Sequence, residues 1–328
     1  MAEAVFSLPY NIVLHVSTVV HVPIKLFSMY IVYRYSPSNM GAMPYFILNM
    51  MAWDLLGNVF RALLHIYPEY PALCFRAYGL MILLTENEMV SHFLFVGTVA
   101  CFYNCLQTSL FAFPYRYAVL KHPNLLERIK KSRVIALYVV SHTGITVATF
   151  LVYSLFIVRH EDYNFEKKPD DEQRLCCLSP RGWIGVAMGA CAVLTCFLLI
   201  TGMFVFYWLI KKHLASITHL YSAQTAELHR KFLRYLTLIT AMCITFEQLP
   251  VIVVLLCCIF STFSFAKELL MMCEILLYNY GVIFSVVSIV AFKPYSKAAR
   301  RIFTRLLSGK VVKSQVIVVS HKSIKKSF

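Results

Sequence analysis

The stretch Trp183–Ile210 reads WIGVAMGACAVLTCFLLITGMFVFYWLI and contains no Asp, Glu, Lys or Arg. A helix of about 20 residues already spans the roughly 30 Å of hydrocarbon in a bilayer. Because a backbone in lipid must satisfy its own hydrogen bonds, an apolar stretch of this length predicts a membrane-spanning α-helix. The fold of the chain depends on how often such stretches recur.

Six further apolar stretches of similar length occur, so the sequence predicts an all-α bundle of seven membrane-spanning helices. No loop between them is long enough to fold as a separate domain. Thr85 and Glu88 have the spacing of a capping box, which would start the third span. The six stretches are Ile12–Tyr33, Met43–His65, Glu86–Phe113, Val134–Val158, Phe232–Phe260 and Leu269–Phe292.

The composition of the chain favours the same class of protein. Of the 328 residues, 59% are hydrophobic and 14% are charged, whereas soluble domains have about 25% charged residues. The net charge of +15 is explained by membrane topology, so no nucleic-acid partner is expected. The sequence contains no phosphate-binding glycine loop and no zinc-ligand spacing, which predicts neither a cofactor nor a metal site.

Most of the 31 Lys and Arg residues lie on one side of the predicted bundle. Cytoplasmic segments of membrane proteins carry such an excess. We therefore expect the amino terminus outside, a first span that acts as its own signal anchor, and a carboxyl-terminal tail inside. The basic segments are the turn after Tyr33, residues 113–133, residues 211–234 and everything after Phe292.

Most of the 11 cysteines lie within apolar stretches, where a thiol behaves as a small hydrophobic group. The cysteines expected outside the cell are Cys74, Cys176 and Cys177. A disulfide from Cys74 to either Cys176 or Cys177 is plausible in an oxidising compartment. The spacing does not choose between the two partners.

The segment after the seventh span has apolar residues at helical spacing, with four cations between them. It predicts an amphipathic helix that lies in the inner headgroup plane, and it completes a seven-span membrane domain of residues 1–309. Residues 310–328 read as a basic cytoplasmic tail. The apolar positions are Ala298, Ala299, Ile302, Phe303, Leu306 and Leu307, and the cations are Lys297, Arg300, Arg301 and Arg305.

The second span carries a polar stripe that requires an explanation, because ionisable groups at membrane depth are costly. Asp54, Asn58, Arg61 and His65 share one helix face, which should look into the bundle. The stripe could join neighbouring helices or bind ordered water, or it could belong to a ligand or signalling site. The sequence leaves both interpretations open.

The sixth span contains Glu247, Gln248 and Pro250. Proline removes a backbone hydrogen bond, so a kink and a hinge are expected at Pro250. Glu247 could be neutral or could pair with a cation such as Arg61. Lys25, in the inner half of the first span, is expected to extend toward the cytoplasmic headgroups.

Several short motifs are similar to those of nematode serpentine chemoreceptors, in the superfamily that contains classes H, I and Str. In the first two spans these are the His21–Ile24 segment, Ser36-Pro37 and Leu48-Asn49. The similarity continues to the end of the seventh span and favours class H or a near relative. The later motifs are Tyr78-Gly79-Leu80, Gln248 with Pro250, Tyr280-Gly281 with Ser285, and Lys293-Pro294-Tyr295.

This resemblance implies a chemosensory G-protein-coupled receptor in the plasma membrane of sensory cilia. Arg116 and Tyr117 match the Asn-Arg-Tyr-like motif of the family, although Tyr115 replaces the amide. By depth and face we expect ligand contacts from His92, Glu247, Gln248, Tyr278 and Tyr280. The expected G-protein contacts are Arg116, Tyr117, Lys130, Lys131, Lys211, Lys212, Arg230 and Lys231, although each lysine is also explained by topology alone.

Two other functions deserve comparison with a receptor. A transporter or ligand-gated channel often shows an internal repeat with broken helices in matching halves, and no repeat is visible. An intramembrane metal enzyme needs several His and Asp ligands at one depth. Only Asp54, His65 and His92 are candidates, and the two histidines lie near the outer edge.

Overall fold

A computed structural model describes residues 2–37, 40–70, 72–80, 87–122, 131–163, 175–179, 183–217, 223–259 and 265–307. Within these ranges seven helical segments are long and apolar enough to cross a membrane, which confirms the expected all-α bundle. We call them the first to seventh spans, and we call the helix that follows the juxtamembrane helix. Their bounds are Ala2–Tyr35, Met43–Leu64, Glu88–Lys121, Lys131–Ser154, Trp183–Ile217, the pair Ala223–Cys243 and Leu249–Ile259, Ala266–Ala291, and finally Lys293–Leu307.

The third span lies at the centre of the bundle. In its most apolar stretch 61% of the residues are buried inside the protein, against 6% in the fourth span. The third span contacts the second, fourth and fifth spans. The fourth span instead exposes large apolar side chains such as Val140 and Leu151, as expected for a helix that faces lipid.

The third span begins and ends at residues that differ from the predicted ones. Asn87 is its N-cap, and the Asn87 Oδ1 atom accepts a hydrogen bond from the Met89 amide at 2.9 Å. The predicted cap, Thr85, lies outside the described residues. The helix continues through Pro114 to Lys121, because the burial of Phe113 and Leu120 among the surrounding helices offsets the hydrogen bond that proline removes and the clash of its ring.

The sixth span is interrupted immediately before its proline. A π-helical turn covers Ile244–Gln248, and the amide of Leu249 donates to the carbonyl of Ile244. Such single wide turns accommodate an extra residue inside an α-helix and occur often at functional sites. Glu247 and Gln248 belong to this turn, and both side chains are buried in the bundle.

A small antiparallel sheet lies at one end of the bundle, and the sequence patterns did not indicate it. Its four strands are β1 Ile66–Pro68, β2 Cys74–Ala77, β3 Ile157–Val158 and β4 Leu175–Leu178. They lie side by side in the order β1-β2-β4-β3. The predicted fourth span included Ile157 and Val158, but a turn at Leu155 and Phe156 ends the helix, and these two residues form β3 by pairing with β4.

The disulfide of this sheet joins Cys74 to Cys177. The two residues are direct partners in the β2–β4 register, whereas Cys176 lies opposite Phe75. Successive residues of a strand point to opposite faces, so Cys176 faces away from Cys74. It remains a buried thiol, and its Sγ atom lies 3.8 Å from the carbonyl of Glu88.

Candidate ligand site and coupling site

An ion pair between Lys25 and Asp54 connects the first and second spans in the interior of the bundle. The Lys25 side chain is fully buried and the Asp54 side chain is 9% exposed. An unpaired charge at this depth would cost several kcal/mol, and each group compensates the other. The expectation that Lys25 reaches the headgroups is therefore wrong, because Asp54 lies within its reach.

The seventh span approaches this ion pair through a glycine. A Cβ atom placed on Gly281 would overlap the carboxylate of Asp54. Ser285 and Ser288 of the same span are completely buried. The missing side chain of Gly281 thus allows the seventh span to pack closely against the second.

Arg61 links the second and seventh spans about two helical turns from Asp54. Its Nη1 atom donates to the carbonyl of Leu277 at 2.8 Å, and its Nε atom lies 3.8 Å from Oε1 of Glu274. Glu247 is not its partner: the thiol of Cys243 donates to Oε2 of Glu247 at 3.0 Å. The acid on the π turn is therefore held by its own helix.

A small cavity lies between the second, third, sixth and seventh spans. Its volume is about 20 Å³, enough for about one water molecule. The side-chain amide of Asn58 faces it with neither atom bonded to any described residue, so a bridging water fits there. The lining residues are Trp53, Asp54, Gly57, Asn58, Arg61, Thr98, Cys101, Phe102, Cys105, Glu247, Leu277 and Tyr280.

The predicted ligand residues do not all share one site. Glu247 and Tyr280 line the central cavity. Tyr278 faces the first span, where its hydroxyl bonds to Thr18, and Gln248 is fully buried next to Glu247 without lining the cavity. His92 lies near the sheet, with Nδ1 3.0 Å from the hydroxyl of Tyr153.

His92 belongs to a cluster that the sequence did not reveal. The carboxylate of Glu88 lies between two histidines, 3.4 Å from Nε2 of His92 and 3.2 Å from Nδ1 of His160. The Glu88–His92 spacing is visible on one helix, but His160 is 72 residues from Glu88. Only the folded loop after the fourth span brings it there.

The predicted stripe of the second span faces the interior, but it serves several contacts. Asp54, Asn58 and Arg61 line the cavity. His65 does not; it is buried at the end of the helix, and its ring lies 4.3 Å from that of His15. The stripe therefore contains half of an ion pair, an amide that faces the cavity and a hydrogen bond to the seventh span.

The predicted coupling residues lie at the end of the bundle opposite the sheet. Arg116 is buried, and the hydroxyl of Tyr117 accepts a bond from Nζ of Lys121 at 2.8 Å. Lys131 begins the fourth span with an undescribed side chain, and Lys130 lies outside the described residues. The remaining four predicted residues are exposed, and the last of them is paired with Glu227 at 2.6 Å: Lys211, Lys212, Arg230 and Lys231.

Three aromatic residues close this same end. The hydroxyl of Tyr235 in the sixth span lies 3.0 Å from that of Ser288 in the seventh. The Tyr235 ring packs at 4.3 Å from Phe292, and Tyr295 bonds to Ser36 of the first span at 2.7 Å. Tyr235, Phe292 and Tyr295 form an aromatic cluster. It ties the sixth span to the seventh and the juxtamembrane helix to the first.

The comparison with known protein families agrees with this architecture. The model of the family described as serpentine type 7TM GPCR chemoreceptor Srh matches residues 7–305. The matched region includes the second to seventh spans and almost the whole of the first span and of the juxtamembrane helix. No curated protein matches the chain.

Proposed function

Because the chain belongs to the Srh family of serpentine seven-transmembrane chemoreceptors, we propose that it binds a small molecule and in response activates a heterotrimeric G protein. The family is one of receptors and not of enzymes. Nothing among the described residues favours a transporter or a channel over a receptor. The proposed location is the plasma membrane of sensory cilia, with the sheet outside.

Two independent features support this orientation. The Cys74–Cys177 disulfide lies in the sheet, next to the start of the first span, where the hydroxyl of Tyr10 donates to the carbonyl of Ile66. Disulfides persist in oxidising compartments. The exposed cations are concentrated at the opposite end, as expected for cytoplasmic loops.

The observation that carries the ligand proposal is the cavity lined by Glu247 of the π turn and by Asn58. A cavity of about 20 Å³ is far below the roughly 300 Å³ of a small-molecule pocket. The described conformation is therefore the closed one, and a ligand would bind a widened form of this site. The second, third, sixth and seventh spans line this site, and no described residue of the fifth span does.

Activation requires that the ligand bind the open conformation better than the closed one. The π turn beside Pro250 gives the sixth span a place to bend, since the regular hydrogen-bond ladder is already interrupted there. Bending would separate Tyr235 from Ser288 and open the inner end. A G protein would then contact the exposed cations together with Arg116 and Tyr117.

The proposal is tested by a calcium readout in cells that express the chain with a promiscuous G protein, screened with volatile and water-soluble odorants. For an active odorant, we expect Lys211→Gln with Arg230→Gln to reduce the response at least about threefold, because charged contacts at an interface guide association. Arg159→Gln, which removes one exposed charge at the sheet end, is the control. Equal loss in both variants, at equal surface expression, would contradict G-protein contact at the inner end.

A second prediction concerns activity without ligand. Tyr235→Phe keeps the ring but removes the hydrogen bond to Ser288, which is worth about 1 kcal/mol. We expect the open population, and with it basal signalling, to rise roughly fivefold. Tyr45→Phe is the control, because Tyr45 is 70% exposed. Unchanged basal signalling at equal surface expression would show that this bond does not hold the inner end closed.

A further inference from the structure

A second, larger cavity lies between the end of the first span and the juxtamembrane helix. Its volume is about 360 Å³, which falls within the range of small-ligand pockets. It is open toward solvent and separate from the central cavity. Its lining consists of Tyr35, Lys293, Pro294, Lys297, Ala298 and Arg301.

Half of the lining residues are cations. Lys293, Lys297 and Arg301 follow each other at intervals of four residues, so they lie along one side of the juxtamembrane helix. All three are exposed, and none forms an ion pair with a described residue. Three positive charges thus surround one cavity, and no described carboxylate lies within ion-pair distance of any of them; Glu227, which acts on Lys293 from farther away, is paired with Lys231.

The position of the charges in the helix strengthens the requirement for an anion. A helix amino terminus carries a partial positive charge, which disfavours nearby cations. The juxtamembrane helix nevertheless begins with Lys293 and has no acidic residue in its first turn. A bound anion would relieve both the mutual repulsion of the three cations and the repulsion from the helix end.

The depth of the cavity relative to the membrane indicates where its anion comes from. The first span ends at Tyr35 and the seventh at Ala291, so the cavity lies where the hydrocarbon region gives way to headgroups. The helix beside it exposes Phe303, Leu306 and Leu307 by 55%, 67% and 87%. Apolar side chains exposed on a basic helix are typical of a helix that lies in the membrane interface.

We propose that this cavity binds the headgroup of an inner-leaflet phospholipid that carries more than one phosphate. Basic pockets next to spans on the cytoplasmic side bind phosphorylated inositol headgroups, and three cations suit several phosphates better than a single charge. Pro294 and Ala298 leave the space between the cations free of bulky side chains. The proposal rests on the orientation given above, but on neither the odorant nor the G protein.

The test measures binding of fluorescent phosphatidylinositol bisphosphate to the full chain in nanodiscs of phosphatidylcholine. Each cation near a charged lipid surface contributes about 1 kcal/mol, so Lys297→Gln with Arg301→Gln is expected to weaken binding roughly 30-fold. The matched control is Arg300→Gln with Arg305→Gln. It removes the same charge from the same helix but from residues that do not line the cavity.

Three outcomes would overturn the proposal. Equal weakening in both double variants would indicate diffuse attraction to the helix. Equal binding of phosphatidylserine at matched total charge would exclude a preference for several phosphates. Binding of soluble inositol trisphosphate as tight as that of the lipid would assign the cavity to a free phosphate compound. Selective weakening in the first double variant, for the bisphosphate lipid alone, supports it.

Discussion

Gly281→Ala is expected to destabilise the receptor strongly. The added methyl group would occupy the position of the Asp54 carboxylate, so either the seventh span must shift or Asp54 must leave Lys25. Separating a buried ion pair costs about 3–5 kcal/mol, because it leaves an uncompensated charge. A loss of this size is a large share of the stability of a typical protein. Surface expression and thermal stability in detergent are the measurements.

Two controls separate this contact from a general intolerance of alanine. Gly144→Ala places a methyl group in open space, with no atom within 4 Å, and should leave both measurements unchanged. In a background of Lys25→Met with Asp54→Ala, Gly281→Ala should cost much less than in the native chain, because the carboxylate is gone. An equal loss in both backgrounds would show that the collision is not with Asp54.

Loss of the Cys74–Cys177 disulfide is expected to have a comparable effect. The bond joins residues 103 positions apart, and closing a loop of this size stabilises a protein by up to about 5 kcal/mol. Cys74→Ala and Cys177→Ala should therefore lower surface expression to the same extent. Non-reducing peptide mapping of the native chain should recover Cys74 joined to Cys177.

Cys176→Ala is the matched control for the disulfide variants. Cys176 lies beside Cys177 but points to the other face of the strand, and burial raises the pKa of its thiol to about 12. A protonated thiol is a poor nucleophile, so Cys176 should neither exchange with the disulfide nor replace Cys177. A Cys177→Ala chain that keeps native expression through a Cys74–Cys176 bond would contradict this assignment.

The bundle could be predicted from the sequence because its signal is local. Each span is a run of apolar residues, and the central position of the third span is the main feature that such runs do not reveal. The sheet escaped prediction for a physical reason. Its strands are two to four residues long, and the central β2–β4 pairing joins Cys74 to Cys177, far apart in the chain, which no hydrophobic period records.

For the candidate site, the sequence could predict which side chains share a helix face but not which residues they contact on other helices. The spacing of Asp54, Asn58 and Arg61 correctly indicated side chains that point inward, since that follows from the geometry of one helix. The choice of Lys25 for Asp54 and of Glu274 for Arg61 depends on the distances between helices. The resemblance to chemoreceptors, carried by short motifs such as Lys293-Pro294-Tyr295, was confirmed by the match to the Srh family.

The covalent link between Cys74 and Cys177 encloses the third and fourth spans in a closed loop of polypeptide. A single protease cut anywhere inside that loop leaves both fragments attached through sulfur. Such a nicked receptor should migrate as one intact band on a non-reducing gel and separate into two bands after a reductant is added. The loop thus offers a site for chain interruption that keeps all seven helices in one molecule.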